Sequence, residues 1–420
     1  MAAGQVIAVI GLGYIGLPTA AILAARGANV VGVDVSDRHV DAVNAGTVPF
    51  VEPDLAEHVA AAVAAGRLRA QKETPKADVY IIAVPTPFTD NQEPDLSYVD
   101  AATDALAGHL SGGELIVLES TSPPGATRHV AERVLAARPD LSIDGAGGKP
   151  VVEFAHCPER VLPGRVMIEL VTNDRIVGGL SASAARRAKE LYQTFCEAEI
   201  HLTDATTAEM AKLTENSFRD VNIAFANELS VVCERLDIDV FELIELANKH
   251  PRVNILQPGP GVGGHCIAVD PWFIVSAAPE ESRLIRMARA VNDDKPAFVL
   301  RQVAEALAGA ERPTIAVLGL AFKPDIDDLR ESPALAIARS VAEAYPDGTI
   351  LAVEPNIDEL PPVLAGLPNV ALASLEQAFA EADAVVLLVD HREFKQLKAE
   401  DLPACPLVDT RGVWRTAREV

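Results

Sequence analysis

The N-terminal stretch VIAVIGLGYIG, residues 6–16, constrains the fold more than any other part of the chain. An uncharged run of Val and Ile is followed at once by glycines in G-x-G-x-x-G spacing and then by a helix-forming segment. Such glycines permit a tight turn and let backbone N–H groups at a helix N-terminus approach a pyrophosphate. The sequence therefore predicts a strand–turn–helix unit that binds a dinucleotide through Gly11, Gly13 and Gly16.

Asp34 supports this prediction because it ends the next Val-rich run, 23 residues after Gly11. A carboxylate in this position can accept hydrogen bonds from a ribose diol. It also repels a ribose phosphate, so it favours NAD over NADP. The alternative is that Asp34 is a loop acid that caps the helix predicted from the SDRHV segment.

Val- and Ile-rich runs alternate with amphipathic helical patterns through the N-terminal part of the chain. Alternation of this kind is typical of a parallel sheet covered on both faces by helices. Residues 206–236 instead form a helical pattern without Gly or Pro, and alternation resumes after about residue 310. We therefore predict an α/β protein in which two doubly wound parallel-sheet domains, residues 1–203 and 310–420, are joined by a central helical domain, residues 204–309.

Two strand motifs recur along the chain in the same order. IAVIGLG at Ile7 reappears as IAVLGLA at Ile315, and the ADVYIIAVP segment around Asp78 reappears as ADAVVLLVD around Asp383. The motifs are 71 residues apart in the first copy and 68 in the second. Two similar sheets explain this spacing, and chance similarity between buried strands is the alternative.

The second copy differs from the first where a phosphate would bind. GLAFKPD lacks the three-glycine spacing and carries Lys323, and Arg330 follows in DDLRESP. Both cations could be ordinary surface residues, but their position just after a strand predicts that they bind the diphosphate of a different nucleotide.

The composition excludes several classes of protein. The formal net charge of −24 argues against a nucleic-acid-binding surface, which needs an excess of Lys and Arg. Five scattered cysteines without a CxxC pair fit a reducing cytoplasm better than a disulfide framework or a zinc site, so we expect no metal. The uncharged residues 5–25 lack the flanks of a signal peptide or membrane helix, and we expect neither.

Cys266 lies in the stretch NILQPGPGVGGHCIAVDPWF, residues 254–273, among clustered glycines and prolines. Such glycines allow a close backbone approach to a ligand, and exposed amides can lower a thiol pKa or hold an oxyanion. The alternative is a buried structural cysteine, which is how we interpret Cys196 and Cys233 in their apolar helical patterns. Cys266 is therefore the candidate nucleophile.

A nucleophilic cysteine combined with NAD predicts oxidation of an alcohol to an acid in two steps. The thiolate adds to the aldehyde formed first and gives a thiohemiacetal, whose oxidation leaves a thioester that water hydrolyses. Lys212, Asn216 and Arg219 share one predicted helical face near which the alcohol could bind, although a solvated polar stripe is the alternative. Asp270 and Glu159 are acids that could orient or activate water.

The chain as a whole resembles the UDP-glucose/GDP-mannose dehydrogenase family. The resemblance is carried, in the family's order, by GLGYIGLP, VPTP, ESTSPPGAT, CPERVLPG, KLTENSFRDVNIAFANEL, HPRVNILQPGPGVGGHCIAVDPWF and GLAFKPDIDDLRESP. It implies two Rossmann-like domains, a cytoplasmic homodimer or higher oligomer joined through the central helices, and a role in polysaccharide biosynthesis. GGHC followed by DP resembles the N-acetylhexosamine branch, which implies that carbon 6 of UDP-N-acetyl-D-mannosamine is oxidised.

The resemblance also implies a role for each matching residue. Cys266 would be the nucleophile, Lys212 would handle protons and stabilise the oxyanion, and Glu159 and Asp270 would help to activate water. Asn216 would belong to the same catalytic group. The residues that would contact NAD, besides the three glycines, are Tyr14, Ile15, Asp34, Thr86 and Thr127. The residues that would line the UDP-sugar site are Arg160, Val161, Lys212, Asn216, Arg219, His250, Arg252, Gly263, Phe322, Lys323 and Arg330.

Three alternatives remain open from the sequence. The same chemistry could act on UDP-N-acetyl-D-glucosamine, since the two sugars differ only at carbon 2. An ordinary two-electron hydroxyacid-type dehydrogenase would also pair a dinucleotide-binding domain with helices, but it would have no use for Cys266. A non-catalytic nucleotide-sugar sensor would not need Lys212, Asn216 or Asp270.

Overall fold

The computed structural model describes residues 4–50, 52–89, 92–161, 164–264 and 266–415. Its internal contacts group the chain into two compact units, residues 1–215 with 272–279 and residues 216–271 with 280–420. This grouping leaves the three-domain boundaries a prediction. Within the described ranges, no helix has both the length and the apolar character needed to span a membrane.

The first unit is built around an eight-stranded sheet. Its strands are β1 (Val6–Ile10), β2 (Asn29–Val33), β3 (Leu68–Gln71), β4 (Val79–Ile82), β5 (Leu115–Leu118), β6 (Glu153–His156), β7 (Arg175–Gly179) and β8 (Ile200–Asp204). Its helices are α1 (Gly16–Ala25), α2 (Asp37–Asn44), α3 (Leu55–Ala64), α4 (Ser97–Ala107), α5 (Ala126–Ala137), α6 (Val166–Thr172) and α7 (Ala182–Tyr192). The strand order is β3-β2-β1-β4-β5-β6-β7-β8, and all neighbours are parallel except β6 and β7, which pair antiparallel.

Helices cover both faces of this sheet, and β1 shows why. Ile7 and Val9 pack into one apolar cluster, whereas Ala8 and Ile10 pack into another. Successive side chains of a strand point to opposite faces, so a strand that is apolar at every position needs a core on each side. The doubly wound arrangement predicted from the Val- and Ile-rich runs is confirmed.

The helical part of the chain follows β8. It contains α8 (Ala205–Leu236), α9 (Val240–Ala247), α10 (Asp270–Ala277) and α11 (Arg283–Ala306). The predicted helix over residues 206–236 corresponds to α8, whose 32 residues contain no Gly or Pro. A helix of this length presents residues seven and four apart on one face over several turns.

The second sheet belongs to the second unit. Its strands are β9 (Thr314–Leu318), β10 (Thr349–Val353), β11 (Val370–Leu372), β12 (Ala384–Leu387) and β13 (Leu407–Asp409). The accompanying helices are α12 (Pro333–Ala344), α13 (Pro362–Ala365), α14 (Leu375–Glu381) and α15 (Arg392–Lys395). The order β11-β10-β9-β12-β13 is entirely parallel and repeats the first five positions of the larger sheet.

The internal repeat predicted from the sequence has an atomic counterpart. The Asp78 carboxylate accepts a hydrogen bond from the Val6 N–H at 2.8 Å, and the Asp383 carboxylate accepts one from the Thr314 N–H at 2.8 Å. Each aspartate thus joins the start of its own strand to the first strand of its sheet. Chance similarity between buried strands does not explain this shared contact.

Candidate active site

The turn between β1 and α1 uses its three glycines for different purposes. Gly11 has φ of +97°, and a Cβ there or at Gly16 would clash with backbone atoms of the turn or of the neighbouring strand. A Cβ on Gly13 would meet nothing within 4 Å. The outer two glycines therefore close the turn, and Gly13 leaves open space beside the helix N-terminus, as a bound pyrophosphate requires.

Asp34 lies at the end of β2 beside this turn. Its carboxylate accepts hydrogen bonds from Leu12 N and Ser36 N, both at 2.9 Å, and lies 3.1 Å from His39 Nδ1. The cap of α2 is Ser36, whose side chain accepts from His39 N. Asp34 therefore does not cap this helix itself, and its position beside the glycine turn fits an adenosine ribose.

The remaining predicted NAD contacts lie in the first unit but differ in exposure. The Tyr14 ring is exposed and stacks on Phe50, with 4.2 Å between the ring centroids. Ile15 is the residue before the first turn of α1. Thr86 is half-buried, and its hydroxyl donates to the Thr121 carbonyl.

Thr127 differs from these residues because it is fully buried at the start of α5. Its hydroxyl and N–H donate to Glu209 at 2.6 and 2.7 Å, and Gly125 N donates to the same carboxylate at 2.6 Å. Glu209 thus satisfies two backbone N–H groups at the start of α5, a role for which acidic residues are well suited. The structure assigns Thr127 this partner, and its contact with NAD stays a prediction.

Cys266 is exposed in the turn that leads into α10. Its carbonyl accepts from the Asp270 N–H at 2.8 Å, so the thiol and the aspartate are one helical turn apart. Asp270 is buried, and its Oδ2 accepts from Asn216 Nδ2 at 2.5 Å. Two residues predicted to be catalytic, 54 positions apart in the chain, are therefore in direct contact.

The glycines before Cys266 have a packing role in the second unit. A Cβ on Gly263 would clash with the Glu331 carbonyl, and a Cβ on Gly264, where φ is +84°, would lie 3.0 Å from the Phe322 ring. The loop can therefore pass closely over the segment that carries Phe322 and Arg330. His265 lies outside the described residues.

Lys212, Asn216 and Arg219 all lie on α8 at the predicted spacing. Lys212 and Asn216 are half-buried, and Arg219 is exposed. The half-burial of two of these residues and the contact of Asn216 with Asp270 are not features of a purely solvated stripe.

Glu159 is buried in the segment after β6. Its Oε2 lies 3.2 Å from Arg175 Nη2, and its Oε1 accepts from Arg160 N at 2.7 Å. Burial, followed by the charge of Glu159, raises the pKa of the nearby Glu119 to about 8. Arg175 and Glu119 were missed by sequence reasoning, although a charged residue directly beside an apolar strand run, before IV for Arg175 and after LIVL for Glu119, is a signal for both.

The two residues after Glu159 differ in environment. Arg160 Nη2 lies 2.6 Å from a carboxylate oxygen of Glu215, and its Nη1 donates to the Asp174 carbonyl at 2.9 Å. Val161 is half-buried and packs against the first apolar cluster. Their substrate contacts stay predictions.

The residues predicted to bind the UDP moiety from the last part of the chain lie around the β9–α12 connection. Lys323 is exposed, whereas Arg330 forms a two-point ion pair with Asp328, with Nε and Nη2 at 2.8 and 2.6 Å from its oxygens. His250 and Arg252 are exposed beyond α9, and His250 Nδ1 accepts from Arg252 N at 3.3 Å.

Glu354 explains why the second sheet cannot repeat the ribose contact of the first. It follows β10 as Asp34 follows β2, and its carboxylate accepts from Leu320 N at 2.8 Å as Asp34 accepts from Leu12 N. The Asp34 side chain is 12% exposed, but the Glu354 side chain is 0% exposed and contacts His391 at 3.0 Å. The second acid is sealed in the protein, so a nucleotide there must be held by other groups.

Comparison with known proteins agrees with this division of roles. Three consecutive parts of the chain match the UDP-glucose/GDP-mannose dehydrogenase family, with its NAD binding domain at residues 5–196, its central domain at 206–294 and its UDP binding domain at 316–416. The chain belongs to this family. It is therefore an NAD-dependent nucleotide-sugar dehydrogenase, and the predicted Rossmann-like N- and C-terminal regions with a helical region between them in the chain are confirmed.

Several family members are similar over their full length. UDP-N-acetyl-D-mannosamine dehydrogenase of Yersinia pestis is 54% identical over 420 residues, covering 98% of this chain and 99% of that protein. NDP-N-acetyl-D-galactosaminuronic acid dehydrogenase of Ralstonia nicotianae is 55% identical over 415 residues, covering 99% and 97%. The solved structure of the UDP-D-ManNAc dehydrogenase of Pyrococcus horikoshii matches with a TM-score of 0.85 at 39% identity, covering 97% of this chain and 96% of that one.

Proposed function

We propose that this dehydrogenase oxidises carbon 6 of UDP-N-acetyl-D-mannosamine to the carboxylate of UDP-N-acetyl-D-mannosaminuronate. The observation that carries the proposal is the exposed Cys266 one helical turn before a buried Asp270 that is held by Asn216. A plain alcohol dehydrogenase has no use for such a thiol. The choice of sugar is supported by the name of the Yersinia relative, UDP-N-acetyl-D-mannosamine dehydrogenase.

The open space beside Gly13 and the exposed edge of Asp34 fit the pyrophosphate and ribose of NAD. When bound, NAD supplies the hydride acceptor for both oxidations. The Tyr14 ring, exposed beside this turn, supports one face of the cofactor site. We further propose that Ile15, Thr86 and Thr127 complete the cofactor contacts.

Cys266 provides the covalent step between the two oxidations. Its thiolate adds to the aldehyde carbon, and the resulting thiohemiacetal carbon again carries a hydrogen that can leave as hydride. After that oxidation the carbon is a thioester. Water adds to it, the C–S bond breaks, and the thiolate and the carboxylate product are regenerated.

Lys212 takes the role of the group that accepts the alcohol proton and stabilises the oxyanion. Asn216 fixes the Asp270 carboxylate through the 2.5 Å hydrogen bond, and we assign this carboxylate the orientation of water. Glu159 removes a proton from the attacking water. The remaining residues proposed to line the substrate site are Arg160, Val161, Arg219, His250, Arg252, Gly263, Phe322, Lys323 and Arg330.

Two sugar epimers are alternatives for the same chemistry. UDP-N-acetyl-D-glucosamine differs at carbon 2, and the Ralstonia relative is named for a galactosaminuronic acid. NADH formation measured with UDP-hexoses and UDP-N-acetylhexosamines of the manno, gluco and galacto series distinguishes them. The proposal expects the highest kcat/KM for the manno sugar, and a higher value for another epimer contradicts it.

Cys266→Ser tests the thioester route. The wild type is expected to form about two NADH for each sugar consumed and to release acid, whereas the variant should form no acid because a hydroxyl cannot replace the thiolate. Cys405→Ser, at a partly buried cysteine in the core around β12 and β13, is the matched control and should behave like wild type. Acid formation by Cys266→Ser, or one NADH per sugar in the wild type, refutes the scheme.

We also propose that the enzyme is a cytoplasmic homodimer joined through its central helices. Phe218, Phe225, Val232 and Leu236 are exposed on α8, and their spacing places them on one helical face. A second copy of the chain would bury this apolar stripe. Sedimentation of Phe225→Asp beside the wild type tests it, since a charge in the stripe should release monomer, and an unchanged dimer contradicts the assignment.

A further inference from the structure

The first unit contains a buried charged cluster, which we define as Glu119, Glu159, Arg175, Tyr192 and Cys157. The two glutamates and the arginine are each more than nine-tenths buried, and the tyrosine and cysteine are fully buried. Only Glu159 belongs to the proposed catalytic group. The others occupy an interior where a charged side chain is rare unless it has a partner.

The antiparallel strand β7 brings the arginine into this cluster. His156 of β6 pairs with Gly178 of β7, and continuing that antiparallel register places Glu159 opposite Arg175. A parallel β7 would put its first residue at the other edge of the sheet. Because it runs backwards, Arg175 lies at the edge where β5 and β6 end, which is the edge where ligands bind in open α/β sheets.

The charges of this cluster balance when one of the two carboxyl groups carries a proton. Arg175 can neutralise one carboxylate, and a second negative charge in this interior would be costly. Burial raises the pKa of Cys157 to about 12, and the phenol of Tyr192 is likewise held neutral because burial raises its pKa. Neither group therefore supplies a compensating charge.

Hydrogen bonds identify which carboxyl group is protonated. Glu159 accepts from Arg175 Nη2 at 3.2 Å and from Arg160 N at 2.7 Å, so it is stabilised as the carboxylate. Glu119 Oε1 accepts from the Tyr192 hydroxyl at 3.1 Å, and the Thr19 hydroxyl also faces this carboxyl group, so its donors are neutral hydroxyls. Burial and the charge of Glu159 hold the proton on Glu119 and raise its pKa to about 8.

We propose that Glu119, Arg175 and Tyr192 are positioning residues for Glu159. Because Glu119 is protonated, the whole charge of Arg175 is left to hold Glu159 as the carboxylate that takes the proton from water. This inference rests on the proposed function, because it assigns Glu159 to water activation. None of the three residues is assigned to touch the substrate or cofactor. Their effect is expected on thioester hydrolysis and not on sugar binding.

The arrangement makes hydrolysis sensitive to alkaline pH. The groups that face Glu119 are Glu159, Arg175, Tyr192, Cys157 and the Thr19 hydroxyl from α1. When Glu119 loses its proton, it competes with Glu159 for the one guanidinium. Glu159 is then held less firmly, and kcat for acid formation should fall as pH rises through the region of about 8.

This fall of kcat at high pH is the alkaline limb of the pH profile, and two variants should change it in different ways. Glu119→Gln keeps the neutral form at every pH, so the limb should disappear while activity near neutral pH remains. Tyr192→Phe removes the hydrogen bond that stabilises ionised Glu119, which raises the pKa of Glu119 further and moves the limb to higher pH. KM for the nucleotide sugar should stay within about twofold in both variants, because neither residue contacts it.

The matched controls are a buried glutamate and a buried tyrosine of the same unit. Glu114 accepts from Ser111 N and Gly112 N, and the Tyr80 hydroxyl bonds with Ala77 N and Pro75 O. Glu114→Gln and Tyr80→Phe should leave the pH profile unchanged. If the controls move the limb as far as the test variants do, the effect is a general loss of packing and the proposal is wrong.

The experiment measures kcat and KM for acid formation by the full-length enzyme from about pH 6 to about pH 9.5. An alkaline limb that Glu119→Gln abolishes and Tyr192→Phe shifts upward supports the proposal. If the wild type makes acid but its alkaline limb is identical to that of both variants, the proposal is overturned. No NADH from any UDP-N-acetylhexosamine with the wild type instead refutes the proposed function. If Glu119→Gln does not fold, the direction of the Tyr192→Phe shift decides.

Discussion

Asp220 offers a test of how buried charge stabilises the second unit. It is fully buried on α8, and its Oδ1 accepts from Arg289 Nη1 at 2.6 Å and from Asn292 Nδ2 at 2.8 Å, both on α11. The network continues from Asn292 to Asn227 and from Asn227 to the N–H of Gly259, which begins the loop leading to Cys266. A change at Asp220 therefore affects the packing of two helices and the base of this loop.

The loss of stability expected for Asp220→Asn follows from the partners that the substitution leaves without a carboxylate. Removing one member of a buried ion pair costs about 3 to 5 kcal/mol, because the other charge loses its compensation. Arg289 also pairs with Asp293, whose side chain is 50% exposed. We therefore expect the lower end, a loss of about 3 kcal/mol in the free energy of unfolding.

Chemical denaturation monitored by Trp414 fluorescence measures this loss. Trp414 is fully buried in the second unit, and a Trp272→Phe background removes the other tryptophan. Asp293→Asn is the matched control, and it should cost no more than about 1 kcal/mol because the removed carboxylate is half exposed.

Burial raises the pKa of Asp220, and Arg289 opposes this shift. The expected loss requires that the carboxyl group is ionised near neutral pH. A loss below about 1 kcal/mol for Asp220→Asn would show that the group is neutral there. That result would refute the reasoning.

Two further predictions concern the cofactor turn and a buried lysine. Gly16→Ala should destabilise the first unit by about 1 to 3 kcal/mol because the methyl group has no room, whereas Gly13→Ala should leave stability unchanged and weaken NAD binding. Equal unfolding midpoints for the two variants contradict the stability difference, and a titration with NAD measures the loss of binding in Gly13→Ala. Lys295 is buried with Nζ 2.5 Å from Ser230 Oγ, and burial lowers its pKa to about 8. Between about pH 8 and 10.5 only the unfolded chain keeps this proton, so the stability of the wild type relative to Lys295→Met should rise by roughly 3 kcal/mol across that window. Chemical denaturation of both proteins at several pH values measures this rise, and a stability difference that does not change with pH refutes the prediction.

The two similar sheets show how one architecture came to serve two ligands. In both, an acid after the second strand accepts a hydrogen bond from the turn after the first strand. Asp34 keeps an exposed edge, whereas Glu354 is closed off by His391 and Asn356. The extra methylene of glutamate and these two partners carry the carboxylate into the interior, which removes it from contact with a ligand.

The sequence by itself determined the features that are encoded locally or repeat in chain order. The glycine spacing after β1, the Val- and Ile-rich runs and the α8 periodicity each depend on neighbouring residues, so the doubly wound fold and the NAD site could be predicted. The repeated aspartates, Asp78 and Asp383, could be matched because they follow the first strand motif of their sheets at nearly equal distances, 71 and 68 residues. The chemical argument for Cys266 likewise needed only the residues around it.

Only the tertiary structure decided which distant side chains meet. Asn216 and Asp270 are 54 residues apart, and nothing in their spacing indicates a 2.5 Å hydrogen bond. Arg175 reaches Glu159 because β7 runs antiparallel to β6, and strand direction cannot be deduced from an apolar run alone. Local motifs depend on backbone geometry within a short segment, so the sequence identifies the chemistry. Pairing of buried charges depends on the register of strands and the packing of helices, so the fold sets the electrostatics.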